Sequence, residues 1–327
     1  MNQRSATRGS AVAVLAAATM LGPAAAGLRA LDLTVTSIEL NQVIQTGAIP
    51  LAADRPTMVR VRIGVFDAGA TPGVDGLLHV NVDNVPLPGS PFYSVNGPIT
   101  APVNPSLQNL DDTLNFMVMV PASVNVDLLV EVNPAGPNRL PESNYANNTA
   151  TKDNQRFFCR ATVEMIYAPI DYSGGGGGPG LPNPNLIKPG IGDGFVMGIY
   201  PTRDWNYHVA PGNPIVWTEN INTSDVQLLN FLSNYRSVTI PGMGYPVAPF
   251  LYGWLPDNPY GGNGRANGIP GDVAFGNSEQ TRHQRTFAHE LSHLHGHSHV
   301  NRTINTVGVD VEHHLFETQG LPVIKPP

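Results

Sequence analysis

Cysteine is nearly absent: Cys159 is the single one in 327 residues. One thiol cannot form an internal disulfide, so the chain has no covalent staple of its own. No His or Asp adjoins Cys159, which discounts thiol catalysis, and the sequence places it as a small buried residue of a strand. Charge is scarce as well. Charged residues make up 13% of the chain and the net charge is −7, which argues against nucleic acid or an anionic membrane surface as a partner. Beyond the N-terminus no apolar run reaches membrane-spanning length. The Gly/Asn-rich stretch 257–276 lacks the G-x-x-x-x-G-K-[ST] spacing and any lysine, so no phosphate cradle is expected there.

Glycine (34) and proline (31) are plentiful, while apolar content is an ordinary 41%. That combination predicts turn-rich β domains rather than disorder, and the length suits two of them. At the N-terminus, Arg4 and Arg8 precede an apolar run over 11–21. Ala24, Ala25 and Ala26 then give an A-x-A cleavage context, with Ala30 as a second site. Residues 1–30 read as a secretory signal peptide, too short for a membrane span, and the mature chain is expected to be secreted and extracellular.

Residues 31–155 alternate with period two. Val59, Val61, Ile63 and Val65 interleave with Arg60, Arg62 and Gly64. Leu78, Val80 and Val82 repeat the pattern, as do Leu114, Phe116 and Val118, then Val126, Leu128 and Val130. Short strands at such spacing, divided by Pro/Gly turns, predict a β-sandwich. The segment Pro141-Glu142-Ser143-Asn144-Tyr145-Ala146-Asn147-Asn148-Thr149 resembles the E-x-N-x-x-N-N turn of immunoglobulin-like CARDB modules. That resemblance implies a spacer or binding module with a cell-surface or extracellular-matrix partner, and it transfers no catalytic residue.

Residues 156–327 change character. A strand is expected over 157–167 and a helix over 225–236, where Leu228, Phe231, Leu232 and Tyr235 recur at helical spacing behind Thr223 or Ser224 as cap. Short strands are expected at 238–240, 250–254 and 273–275, giving an α+β layout. The stretch 257–276 reads either as a plain loop or as a loop with an edge strand to which an extended peptide adds.

The stretch His289-Glu290-Leu291-Ser292-His293-Leu294-His295-Gly296-His297-Ser298-His299 carries the chemistry. Histidines four apart lie on one helix face and can share a metal ion. Phe287, Leu291 and Leu294 supply the buried stripe of that helix, Asn277 or Ser278 its N-cap, and Gly296 its C-terminal glycine. Gly296 lets His299 swing back as a third nitrogen ligand, leaving a fourth position open, as a catalytic zinc site requires. Glu290 lies beside the metal without ligating it and suits a general base. His295, His297, His313 and His314 are assigned to the surface, and His283 falls off the ligand face.

The pattern H-E-x-x-H-x-x-G-x-x-H resembles the metzincin clan of zinc endopeptidases. The resemblance implies His289, His293 and His299 as Zn2+ ligands, Glu290 as general base, and a protein or peptide substrate. The full expectation is an all-β immunoglobulin-like sandwich followed by an α+β zincin-like domain. One element of the signature is missing, because no methionine follows His299; a C-terminally truncated domain is the expectation, with a divergent site floored by another apolar residue as the alternative. Two further alternatives stay open. Glu312, nineteen positions after His293, has a spacing similar to the glutamate ligand of gluzincins, although the β-branched segment 300–311 is a poor helix. The chain could also be a non-catalytic binding or adhesion protein with an incomplete metal site.

Overall fold

The computed structural model describes residues 30–42, 51–106, 109–176 and 180–299, together with the backbone pair Gly308–Val309 and Val323–Ile324. The expected signal peptide, Glu312, His313 and His314 lie outside the described residues.

The first half is a two-sheet β-sandwich. Its strands are β1 (Asp32–Asn41), β2 (Leu51–Ala52), β3 (Pro56–Phe66), β4 (Thr71–Val74), β5 (Gly76–Val82), β6 (Val85–Pro86), β7 (Phe92–Tyr93), β8 (Ile99–Ala101), β9 (Leu114–Met119), β10 (Ser123–Val132) and β11 (Thr149–Phe158). One sheet has the order β1-β3-β9; the other runs β2-β11-β10-β5-β6, and β7 pairs with β5. The four alternating runs all point into the space between the sheets: Val59, Val61, Leu78, Val80, Leu114, Phe116, Val126 and Val130 are inaccessible. Arg60, expected on an exposed face, is also fully buried. Residues 109–113 lie over it, and its guanidinium donates to Thr113 Oγ1 (2.9 Å) and to the carbonyl of Asn109 (2.7 Å). A charge buried this way is tolerated because its donors are matched.

Two expectations fail at the junction. The strand foreseen over 157–167 is broken: β11 ends at Phe158 and β12 (Val163–Tyr172) begins four residues after Cys159. Cys159 therefore lies beyond the last strand residue and is exposed, not buried in a core. Phe157 takes the inward place that the pleat allows there.

The second half continues with α1 (Pro184–Ile187), α2 (Gly194–Ile199), β13 (Trp205–Val209), β14 (Ile215–Trp217), α3 (Ile221–Asn234), α4 (Ile240–Gly242), β15 (Phe250–Leu255), β16 (Gly264–Ala266), β17 (Val273–Asn277) and α5 (His283–Leu294). The sheet order is β13-β12-β15-β17-β16, with β14 extending beside β12. Every pairing is parallel except β16 with β17. Parallel neighbours need crossover connections, which put helices on the sheet faces. Along β12, Met165 and Tyr167 face a core shared with α2 and α5, while Ile166, Ala168 and Ile170 face a second core built on α3. The result is three layers with helices on both faces, in place of the expected α+β arrangement.

Helix α3 starts earlier than expected. Asn220, not Thr223 or Ser224, caps it by accepting from the Asn222 N–H. The strand expected at 238–240 is absent, because the chain continues from α3 as a π-turn over Tyr235–Thr239, with Tyr235 keeping the buried face going.

Two neighbouring residues of the sandwich, Asp54 and Arg55, reach the second half. Arg55, 1% exposed, reaches from the sandwich to carbonyls at the end of α2 and just beyond it. It donates to Thr202 O (2.9 Å), Met197 O (2.6 Å) and Tyr200 O. Asp54 adds a half-exposed ion pair to Arg203 at 3.4 Å.

Candidate metal centre

Helix α5 owes its position to its apolar stripe. Phe287, Leu291 and Leu294 are buried, and the Phe287 ring meets Tyr252 edge-on at 4.6 Å and Trp254 at 5.6 Å. The start of the helix lies at Arg282, with no side-chain cap. Asn277 and Ser278 are committed elsewhere: Asn277 ends β17 and donates to Asn258 and Tyr260, while Ser278 Oγ accepts from the Asp257 N–H. His283 is buried against Trp254, with Nδ1 3.2 Å from the Glu279 carbonyl, so it belongs to the core.

The helix ends as its glycine requires. Gly296 adopts φ +89°, its N–H donates to His293 O (2.9 Å), and the His297 N–H donates to Ser292 O (2.9 Å). These two bonds form a Schellman stop, which turns the chain back toward the helix. The turn brings the His297 carbonyl within 2.7 Å of His293 Nδ1. The proton therefore sits on Nδ1, and Nε2 keeps its lone pair for a ligand.

The reversed chain delivers His299. The Nε2 atoms of His289, His293 and His299 form a triangle with sides of 3.1, 3.1 and 3.0 Å. Its corners lie about 1.8 Å from its centre, less than a zinc–nitrogen bond of about 2.0–2.1 Å, so one point can meet all three at bonding distance. The three rings fit a cation, and an all-imidazole set suits zinc, copper, iron or nickel. His293 is buried, whereas His289 and His299 are exposed toward solvent. Partial burial of its ring, and then the neighbouring His293 and His299, hold the His289 imidazole below its usual pKa. It is thus deprotonated and ready to ligate near neutrality.

Glu290 is 5% exposed. Burial pushes its carboxyl up to about pKa 7, against the opposing pull of the Ala266 N–H. Its side chain runs along β16 at Gly264, where a Cβ would come within 2.9 Å of Glu290 Cγ and 2.7 Å of Thr286 Cγ2. That glycine contact and Thr286 were not visible in the sequence, since they depend on which strand lies across the helix.

A cleft of about 660 Å³ lies along the triad, with 262–269 on one wall and α5 on the other. Of the two readings of 257–276, the loop with an edge strand is the one seen: β16 is the terminal strand of the sheet. His295 does not join the triad. It is exposed, with its ring against Phe250 at 4.9 Å, and His297 contributes only its backbone.

No family model matches this chain, and no curated protein does. Among solved structures, the CARDB domain of a Pyrococcus furiosus protein, in complex with di-metal ions, is similar with a TM-score of 0.26 and 16% identity, over 39% of this chain and 94% of that one. Among the described residues no helix is long and apolar enough to cross a membrane.

Proposed function

We propose that the chain is a secreted zinc-dependent endopeptidase. The observation that carries this reading is the convergence of His289, His293 and His299 beside a buried carboxyl, Glu290, at the floor of a cleft walled by an edge strand. When bound, zinc supplies Lewis acidity, polarising the scissile carbonyl and lowering the pKa of water from about 16 toward about 7. The rest falls to the chain. The edge of β16 aligns an extended peptide by main-chain hydrogen bonds. Glu290 accepts the proton of the attacking water on its carboxylate, holds it, and passes it to the nitrogen of the departing amine. The His297 carbonyl keeps His293 in the tautomer that leaves Nε2 free.

The sandwich serves in this reading as a module for a cell-surface or matrix partner. Incubating the purified, zinc-loaded chain with casein and a peptide library, with and without a chelator, tests the activity. Chelator-sensitive cleavage is expected. Absence of cleavage from a chain shown by metal analysis to hold one zinc would overturn the enzymatic reading in favour of a binding protein.

A further inference from the structure

The cleft has a sign of its own. Arg285, His289 and His293 recur at intervals of four along α5, so they share one helix face, and all three line the cleft together with Arg282 at the N-cap. Arg265 faces them from β16. Against the three arginines Glu290 is the sole carboxyl in the lining, although the chain as a whole carries −7. A positive cleft in an acidic protein concentrates anionic groups, because low-dielectric walls focus the field.

The three arginines differ in what they already hold. Arg265 is paired with Asp225. Arg282 lies 3.4 Å from Glu279 and donates to Asn263 Oδ1 at 2.8 Å. Arg285 is exposed and, among the described residues, its side chain has no ion-pair or hydrogen-bond partner. It stands one helical turn before His289, about 6 Å along the axis, while successive residues of an extended peptide advance about 3.3 Å. A substrate side chain one or two residues from the bond at the triad therefore comes within reach of its guanidinium fork. That fork matches a carboxylate in bidentate geometry.

We propose that the cleft takes peptides carrying an aspartate or glutamate within two residues of the scissile bond, and that Arg285 is the residue that selects them. The proposal deepens the hydrolytic reading and rests on it for the position of the scissile bond. Selection itself is a matter of binding and is measured apart from turnover.

The test uses the full, zinc-loaded chain bearing Glu290→Gln, to suppress cleavage, and fluorescence anisotropy with three labelled decapeptides. One contains Asp and Glu, one the isosteric Asn and Gln, and one Lys at those positions. The acidic peptide should bind about tenfold more tightly than its amide counterpart, and the advantage should shrink with added salt. Arg285→Lys should retain part of it, Arg285→Ala should remove it, and Arg285→Glu should favour the Lys peptide. Equal binding of acidic and amide peptides, an unchanged preference in Arg285→Glu, or no peptide binding at all would each overturn the proposal. Mass spectrometry of a library digested by the unsubstituted chain gives the second readout, with cleavage sites expected to carry an acid within two positions. If Arg285 controls binding as described but no peptide is cut, the hydrolytic reading fails and charge selection stands alone.

Discussion

Glu290 holds its proton until about pH 7, whereas the same carboxyl in an unfolded chain releases it near 4.5. Between those values the unfolded state binds fewer protons, so metal-free protein loses stability as pH rises. Glu290→Gln removes this term. Denaturant titrations of the two metal-free proteins at pH 4.5 and pH 7.5 should show the substituted chain gaining on the parent as pH rises. The same substitution should leave one zinc per chain and reduce hydrolysis by about two to four orders of magnitude. His299 separates the two ligand sets considered for this sequence. His299→Ala should abolish stoichiometric zinc binding by mass spectrometry; retention of the metal there, with loss in Glu312→Ala, would assign the third ligand to the glutamate. Acid should also release the ion, since each imidazole must be neutral to ligate, and His289 is already biased that way.

Elements show why part of the site was legible and part was not. His289, His293 and His299, the buried stripe Phe287, Leu291 and Leu294, and the stop at Gly296 are all local, fixed by spacing along one helix and its turn. The N-cap was misread because Asn277 and Ser278, good caps in isolation, are consumed by β17 and the 257–260 loop. The strand expected at 238–240 failed for a related reason: Val238, Thr239 and Ile240 favour strands, but they follow a helix whose buried face continues through Tyr235. Strand β16 and its close approach to Glu290 depend on pairing across the sheet, which no local pattern encodes. Two substitutions test these elements. Gly296→Ala forces a side chain into a left-handed turn and should cost about 1–2 kcal/mol in denaturant unfolding while weakening zinc affinity. Gly264→Ala should push the Glu290 side chain aside, lowering kcat with zinc content unchanged. Full hydrolytic activity in the Gly264→Ala chain would show that the strand does not set the position of the carboxyl.

The whole molecule is a sandwich and a three-layer domain, and alternation revealed the first far better than the second. In the sandwich one sheet face is largely core, so period two survives in the sequence. In the second domain, residues of β12 on both faces are buried, against α3 on one side and α2 with α5 on the other, so its run carries no alternation and its parallel pairing stayed hidden. The junction was equally unreadable, because Arg55 looks like any surface arginine until the carbonyls of Met197, Tyr200 and Thr202 meet it. Arg55→Met should leave those acceptors without a donor and cost about 2–4 kcal/mol, read as a lower thermal midpoint. Tyr200 extends the connection, since its hydroxyl donates to the Ala288 carbonyl (3.0 Å), next to His289.

Arg55 thus makes the covalent tether between β11 and β12 partly redundant. A protease nick in the exposed stretch around Cys159 should yield two bands under denaturing electrophoresis but a single peak on a sizing column, the fragments travelling together as a clasped pair. The sandwich would accordingly be carried at a set angle to the cleft instead of trailing it on a leash.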